Sequence, residues 1–405
     1  MHPLSQPRTL ILTERTPHVA RLAPADVAFL LENHRGHVEV LPTGRRDRYR
    51  LTALGCAGIL VAPKCRLVIR PKIPLANLFA MLDPLAPVPA AFDTVKPAAG
   101  MEALEFLAGQ LAHGMIERVA GGLHRAYRER REQGAVLHGR LDLLAQLREA
   151  AGRKDQLHSQ YDDLTTDVPC NRAVKATGEL LLASPLLGPD VCAALRRALA
   201  GFEDVSSVPL SPQLWEAVES ESVPAEYHPL LDLCRLLADG LTPGETAGAT
   251  PAPGFLLDME RVFERHVTRG VVEAFARNRR YIVSVQTTHT VNQPVAEQPD
   301  VAMRPDFTID RDGRPILVVD AKWKRLPKSL VTADLYQVLA YGATLGAEGV
   351  ALVYPGKRWR VWEYRFTHTP LRLTVYTLRV GGTREACLRS AWRLGRALRA
   401  LLRSR

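Results

Sequence analysis

Up to about residue 95 the apolar positions come in short clusters separated by glycine, proline and charged residues. Val38-Glu39-Val40, Tyr49 to Thr52, Gly58 to Ala62 and Leu67-Val68-Ile69 have the alternation and β-branched content of strands, which predicts a small β-rich domain over 1–95. The stretch from Pro84 to Pro97 is rich in turn formers. The period then changes. Leu104, Leu107, Leu111, Met115, Val119, Leu123 and Tyr127 recur at helical spacing and predict one long helix from Glu102 to Arg131, opening a helical middle region over 96–240. Residues 241–254 are dominated by Pro, Gly, Thr and Ala, too little apolar surface to order itself, and read as a linker. No internal repeat is visible.

Beyond the linker the pattern predicts an α/β domain over 255–405. Phe255 to Val267 reads as a helix with Leu256, Met259, Phe263 and Val267 on one face. Arg304 to Ile309 reads as a strand, Arg311-Asp312-Gly313-Arg314 as a hairpin turn, and Pro315 to Lys322 as a second strand with a buried Ile-Leu-Val-Val run. Asp334 to Tyr341 begins another helix. The last, from Arg384 onward, sets Leu388, Trp392, Leu394, Leu398 and Leu401 against Arg389, Arg393, Arg396 and Arg403, and is expected to cover a sheet with its arginine edge free for phosphates.

The hairpin carries the chemistry. Asp306 and Asp320 stand at strand ends where they can approach each other, and two carboxylates with a substrate phosphate suffice to hold a hard cation such as Mg²⁺. Lys322, two residues past Asp320, points to the same face, where an ammonium can orient an attacking water or stabilise charge building on phosphorus. An ordinary strand-end salt bridge is the competing reading of these three residues taken alone. Glu264 flanks the upstream apolar stripe and is a candidate third ligand. Gln337 and Tyr341 lie one helical turn apart and can reach a phosphate or a base edge.

A helix glutamate, Pro305-Asp306, Asp320-Ala321-Lys322 and Gln337 with Tyr341, in that order, resemble the PD-(D/E)XK nucleases. The surrounding Phe-Leu-Leu-Asp-Met-Glu-Arg-Val-Phe-Glu, Val-Val-Asp-Ala-Lys-Trp-Lys and Asp-Leu-Tyr-Gln-Val-Leu-Ala-Tyr are similar to the McrC family, nuclease subunits of McrBC-type modification-dependent restriction systems. Ile69-Arg70-Pro71-Lys72-Ile73, Leu137-His138-Gly139-Arg140-Leu141 and Asp167-Val168-Pro169-Cys170-Asn171-Arg172 resemble that family's upstream blocks. The resemblance implies a restriction-endonuclease-like C-terminal domain behind a partner-binding half. It implies Mg²⁺-dependent hydrolysis of DNA phosphodiesters, with Mn²⁺ as a possible substitute, and a separate AAA+ GTPase that recognises and translocates DNA. In this reading Asp306, Asp320 and Glu264 hold the metal, Lys322 acts on the water or transition state, and Gln337, Tyr341 and Lys324 contact substrate. Trp323 departs from the tyrosine expected between the two lysines. Asp167, Asn171 and Arg172 read locally as a cap and loop bonds, and the resemblance suggests a subunit contact.

Composition adds direction. A chain of 405 residues should hold two or three domains, and its net charge of +10 favours a polyanionic partner. Arg125, Arg128, Arg130 and Arg131 read as cations closing the long helix. The 6 cysteines show no zinc-ligand spacing and are expected to be reduced core residues. His124, His138 and Asp162-Asp163 show no trustworthy metal spacing. With no apolar N-terminal stretch and no membrane-spanning run, the cytoplasm is the expected compartment. No Gly-x-x-x-x-Gly-Lys-Ser/Thr occurs, so the chain lacks its own nucleotide motor. Two alternatives stay open: a non-catalytic DNA clamp that activates an AAA+ ring, and a stand-alone repair or transposon nuclease of the same fold.

Overall fold

The structure is a computed structural model that describes residues 8–82, 99–149, 156–242, 254–278, 280–291, 301–326 and 332–403. The turn-rich segment from Pro84 to Pro97 and most of the linker expected over 241–254 lie outside them. Packing divides the chain into two units, one of residues 1–103 with 244–405 and one of residues 104–243.

In the first unit the four N-terminal apolar clusters are strands. Val38–Pro42 pairs antiparallel with Arg48–Ala53, which also pairs with His18–Arg21. Cys56–Val61 pairs antiparallel with Cys65–Arg70, and Arg8–Thr13 runs parallel beside the latter. The next strand in this sheet comes from far along the chain. Gly254–Asp258 pairs antiparallel with Cys56–Val61, so the helix expected from Phe255 begins only at Met259. Two local features explain the difference. Phe255-Leu256-Leu257 is an apolar run suited to a strand covered on both faces, and Leu256 joins the N-terminal core with Leu10, Leu30 and Leu51. Asp258 then caps the helix Met259–Phe275, accepting hydrogen bonds from the Glu260 and Arg261 amides at 2.8 and 3.3 Å. Gly58, at φ +146°, lets the strands meet: a Cβ there would lie 2.0 Å from the Phe255 carbonyl oxygen.

The six-stranded sheet of the same unit runs Ile282–Val285, Phe307–Arg311, Arg314–Ala321, Gly349–Gly356, Arg372–Arg379, Arg360–Arg365. The middle three are parallel from Arg314–Ala321 to Arg372–Arg379, and the outer pairings are antiparallel. Phe307–Arg311 and Arg314–Ala321 form the expected hairpin, with Asp312 and Gly313 at φ 52° and 75° as its left-handed turn pair. The Thr332–Thr344 helix closes a core of Val318, Val338, Val350, Leu352, Tyr354 and Leu373.

The final helix, Arg384–Arg403, packs on the Met259–Phe275 and Leu75–Leu82 helices and on the Arg372–Arg379 strand. It buries Cys387, Ala391, Leu394, Leu398 and Leu402. Trp392, expected on the apolar face, is instead 47% exposed under the Arg396 guanidinium. Glycines bring the two long helices together: a Cβ on Gly395 would stand 2.4 Å from Ala274 Cβ and 2.8 Å from the Gly270 carbonyl oxygen. Asn77 Nδ2 donates to the Val380 and Gly382 carbonyls at 2.8 and 3.2 Å, tying the N-terminal segment to the end of the second sheet.

The second unit is not wholly helical. Its first helix, Ala99–Gly121, stops at Gly121-Gly122, where Gly122 takes φ +88°, although Leu123 and Tyr127 continue the helical spacing. Ala126–Gly134 is a strand paired with Leu157–Thr165, which also pairs with Arg140–Leu141. The arginines expected to close the helix therefore lie on or next to a strand. Arg130 pairs with Asp163 at 3.2 Å, Arg131 with Glu129 at 3.0 Å, and Arg128 with Glu221. Asp167 accepts both guanidinium bonds of Arg172 at 2.7 Å and bonds from Ser206, which holds its carboxyl well below the ordinary value. Val168, not Asp167, is the cap of the Pro169–Leu182 helix. Five cysteines are buried and Cys192 is half-buried; all are free thiols, and burial pushes Cys56, Cys65, Cys170, Cys234 and Cys387 up to about 12. Among the described residues no helix is long and apolar enough to cross a membrane.

Replacing Gly395 by Leu forces apart two backbones that touch and should destabilise the first unit by about 1–3 kcal/mol or more, read as a lower midpoint in urea. An unchanged midpoint would contradict the close helix crossing.

Candidate active site

Cross-strand geometry assembles the site. Phe307 pairs with Val319, so the residues just outside that pair, Asp306 and Asp320, face each other at the open end of the hairpin. The Ala321 amide donates to Asp306 Oδ2 at 2.6 Å and fixes that carboxylate against the neighbouring strand. Lys322 Nζ stands 2.8 Å from Asp320 Oδ2, on the same face, while its amide donates to the Val353 carbonyl. The Met259–Phe275 helix carries Glu264 to this edge, and Gln286 Nε2 donates to Glu264 Oε1 at 2.6 Å. Gln286, at φ 46°, also donates its amide to the Asp306 carbonyl, and Arg304 clasps it with bonds of 3.0 Å to its carbonyl and 2.8 Å to Oε1.

The electrostatics are those of crowded carboxylates. Burial, then Asp320, then Glu264 push Asp306 up to about 8. Burial likewise raises Asp320, against the lowering pull of Lys322. Burial pulls the Lys322 ammonium down, but Asp320, Asp306 and Glu260 outweigh it and its pKa stands above the ordinary lysine value. Two buried like charges facing each other are unfavourable unless a proton or a cation intervenes. The close ion pair of Lys322 is with Asp320, and Asp320 Oδ2 is buried with this ion pair in place of a well-aligned hydrogen bond. Among the described residues no three His, Cys, Asp or Glu side chains converge in a ready-made cage. The donor set still suits Mg²⁺, which prefers hard oxygens, keeps several waters and is held elsewhere by one or two carboxylates plus substrate phosphate. Asp306 and Asp320 fit that role, with Glu264 within electrostatic reach.

The family of McrBC 5-methylcytosine restriction system components matches residues 51–355, well over half of the chain. The chain belongs to this family. The match includes every residue of the carboxylate site and covers parts of both packing units. No curated protein matches the chain. Among solved structures, a chain of the refined half-complex from a tetradecameric assembly of Thermococcus gammatolerans McrB AAA+ hexamers with bound McrC superposes with a TM-score of 0.51 at 17% identity, over 97% of this chain and 100% of that one. This is a likeness of fold. A chain of the Thermococcus gammatolerans McrBC complex gives a TM-score of 0.45 at 18% identity, over 67% and 89%.

In this McrBC-family chain the remaining candidate residues make no hydrogen bond or ion pair to the carboxylates. Gln337 Nε2 donates to the Tyr341 hydroxyl at 3.1 Å on the outer side of the Thr332–Thr344 helix, and neither bonds to Asp306, Asp320 or Lys322. Lys324 is held by Asp334 at 2.7 Å, and Asp334 also accepts the buried Tyr354 hydroxyl at 2.7 Å. It is Asp334, from the start of that helix, whose charge reaches Asp320. Trp323 is buried, with its indole N–H donating to Glu14 Oε1 at 2.6 Å and its ring 5.3 Å from Phe263, so the departure from tyrosine serves packing. Sequence reasoning missed Gln286, Arg304, Asp334 and Glu260. Glu260 was findable, four residues before Glu264 and so on the same helix face. Gln286 was not, because only strand pairing brings it to Asp306.

The sign of the Asp306 shift gives a pH prediction. With its folded value near 8 against an ordinary 3.8, the folded chain holds a proton that the unfolded chain has released between those limits. The stability this group contributes is therefore full below the lower limit and lost as pH rises toward the upper one. In chelator, Asp306→Asn should melt near wild type at pH 4 and increasingly above it as the pH approaches 8. A difference that stays constant across this range would contradict the burial of a carboxyl against its neighbours.

Proposed function

We propose that this chain is the endonuclease subunit of a modification-dependent, McrBC-like (type IV) restriction system, cutting DNA phosphodiesters with Mg²⁺ and working with, and stimulating, a separate AAA+ GTPase that recognises and translocates the DNA. The observation that carries the reading is the carboxylate pair: Asp306 and Asp320 face each other at a strand end, the first raised to about 8, with the Lys322 ammonium 2.8 Å from the second. A structural salt bridge needs one carboxylate per cation, and this site has an excess of them turned toward a polyanion's cation. Membership in a restriction family supplies the substrate class. An antiparallel hairpin followed by parallel strands, with helices packed on the sheet, is what a restriction-endonuclease-like PD-(D/E)XK domain requires of residues 255–405.

The division of roles follows from position. Asp306 and Asp320 would hold the cation, which when bound supplies Lewis-acid stabilisation to the phosphate. Lys322, beside Asp320, would orient the attacking water and donate to the oxygen that gains charge. Glu264 adds a third oxygen from the helix, and Gln286 sets its orientation. Gln337, Tyr341 and Lys324 extend the substrate contact around the sheet end. For the partner, the relative of similar fold comes from an assembly of McrB AAA+ hexamers with bound McrC. The second unit exposes apolar side chains suited to such a contact: Leu143, Leu144 and Leu147 on one short helix are 64%, 68% and 77% exposed.

With Mg²⁺, GTP, methylated duplex and the co-encoded motor, Asp306→Ala, Asp320→Ala and Lys322→Ala should each cut about 100-fold or more slowly than wild type while still stimulating GTP hydrolysis. Wild-type rates in all three would sink the nuclease assignment. A wild-type chain that stimulates the GTPase and never cuts is a clamp, and one that cuts equally well without motor or GTP is a stand-alone nuclease.

A further inference from the structure

The three parallel strands Arg314–Ala321, Gly349–Gly356 and Arg372–Arg379 all end on the same side, where α/β sheets of this kind bind ligands. The carboxylate site occupies one end of that edge. Next to it opens a cavity of about 870 Å³, which begins at Trp323, one residue past Lys322. Its wall carries six cations, Lys72, Lys324, Arg325, Lys357, Arg358 and Arg360, and no carboxylate. Lys324 is neutralised by Asp334, whereas Arg325, Lys357, Arg358 and Arg360 have no ion-pair partner among the described residues. The half-buried Trp362 also faces the cavity. Lys72 comes from the N-terminal sheet, just after the Cys65–Arg70 strand, in the Arg70-Pro71-Lys72-Ile73 block. Burial lowers its pKa, and Arg15 and Arg325 add to that against the pull of Glu14. An anion between these cations relieves that repulsion.

We propose that this cavity seats one strand of nucleic acid beside the carboxylate site, with phosphates between Lys72 on one wall and Arg325, Arg358 and Arg360 on the other and a base against Trp362. The proposal rests on the nuclease reading only for the choice of polymer. Size selects one strand. Duplex recognition spreads over about 1,000–2,500 Å² of protein surface, whereas a concavity in the range of about 300–1,000 Å³ takes a ligand of one or two nucleotides. Aromatic faces lined by cations are the usual platform for unpaired bases. The N-terminal sheet is then part of the substrate site and not solely an adaptor.

The test uses the full-length Asp306→Asn chain, so that cutting is removed, and a fluorescent single-stranded oligonucleotide titrated at several salt concentrations. Adding Lys72→Glu with Arg358→Glu should weaken binding at least about tenfold and lower the salt slope by about 1.4, two phosphate contacts at ~0.7 each for a single strand. Trp362→Ala should weaken it about fivefold or more with the slope unchanged, because stacking releases no counterions. Arg396→Glu with Arg403→Glu changes the net charge equally but alters a basic pocket on the final helix that shares no residue with this cavity, and should leave affinity within about twofold. Unchanged binding in the cavity variants overturns the proposal, as does equal loss in both pairs, which marks a general charge effect. Tighter binding of duplex than of single strand, lost in the same variants, overturns the single-strand assignment. A wild-type chain that binds through the cavity and never cuts defeats the nuclease reading and leaves this one standing; cutting with unaltered binding in the variants does the reverse.

Discussion

Asp306 and Asp320 repel each other at the end of one hairpin, and most of the first unit is arranged so that they stay there. The antiparallel register sets them across from one another, and the Ala321 amide pins one while Lys322 answers the other. Asp320 is 2% exposed and Asp306 is half-buried, and the strands that carry the pair lie inside a six-stranded sheet. Fold energy from the Val318, Val350 and Leu373 core thus maintains a local charge arrangement that is unfavourable unless a proton or a cation intervenes.

The N-terminal sheet takes part in holding this geometry. Glu14 is fully buried, and burial raises its pKa, yet it accepts the Trp323 indole N–H between Lys322 and Lys324. Gly254–Asp258 pairs into that sheet and runs directly into the helix bearing Glu264, so one continuous segment joins the N-terminal sheet to the carboxylate site. For the same reason a cut in the expected linker would not liberate a clean C-terminal domain, since Gly254–Asp258 pairs with Cys56–Val61. The middle region, residues 104–243, is an insertion between two parts of one unit, and we propose it as the partner-binding element.

What the sequence made legible was local. The hairpin turn Asp312-Gly313, the four N-terminal strands and the approach of Asp306, Asp320 and Lys322 all follow from periodicity and turn chemistry within about twenty residues. What it hid was decided by pairing across long separations. Leu256 looked helical because its spacing to Met259 and Phe263 fits a helix, but its strand partner is Gly58, far away in the N-terminal strand Cys56–Val61. Leu123 and Tyr127 kept a helical period across a Gly-Gly break, and the strand that follows is stabilised by Leu157–Thr165, whose mostly polar run gave no clear strand signal. The role of Gln286 depends on a positive φ and on strand contact with Asp306, neither of which leaves a mark in the residue types.

The most direct test is calorimetric titration of the full-length chain with Mn²⁺ in the absence of DNA. The account predicts one saturable site whose affinity falls at least about tenfold in Asp320→Asn and in Asp306→Asn, and is retained in Lys322→Met, because the carboxylates and not the ammonium hold the cation. Equal binding by wild type and both asparagine variants would contradict it, for the buried carboxylate pair would then be a structural ion pair and nothing more.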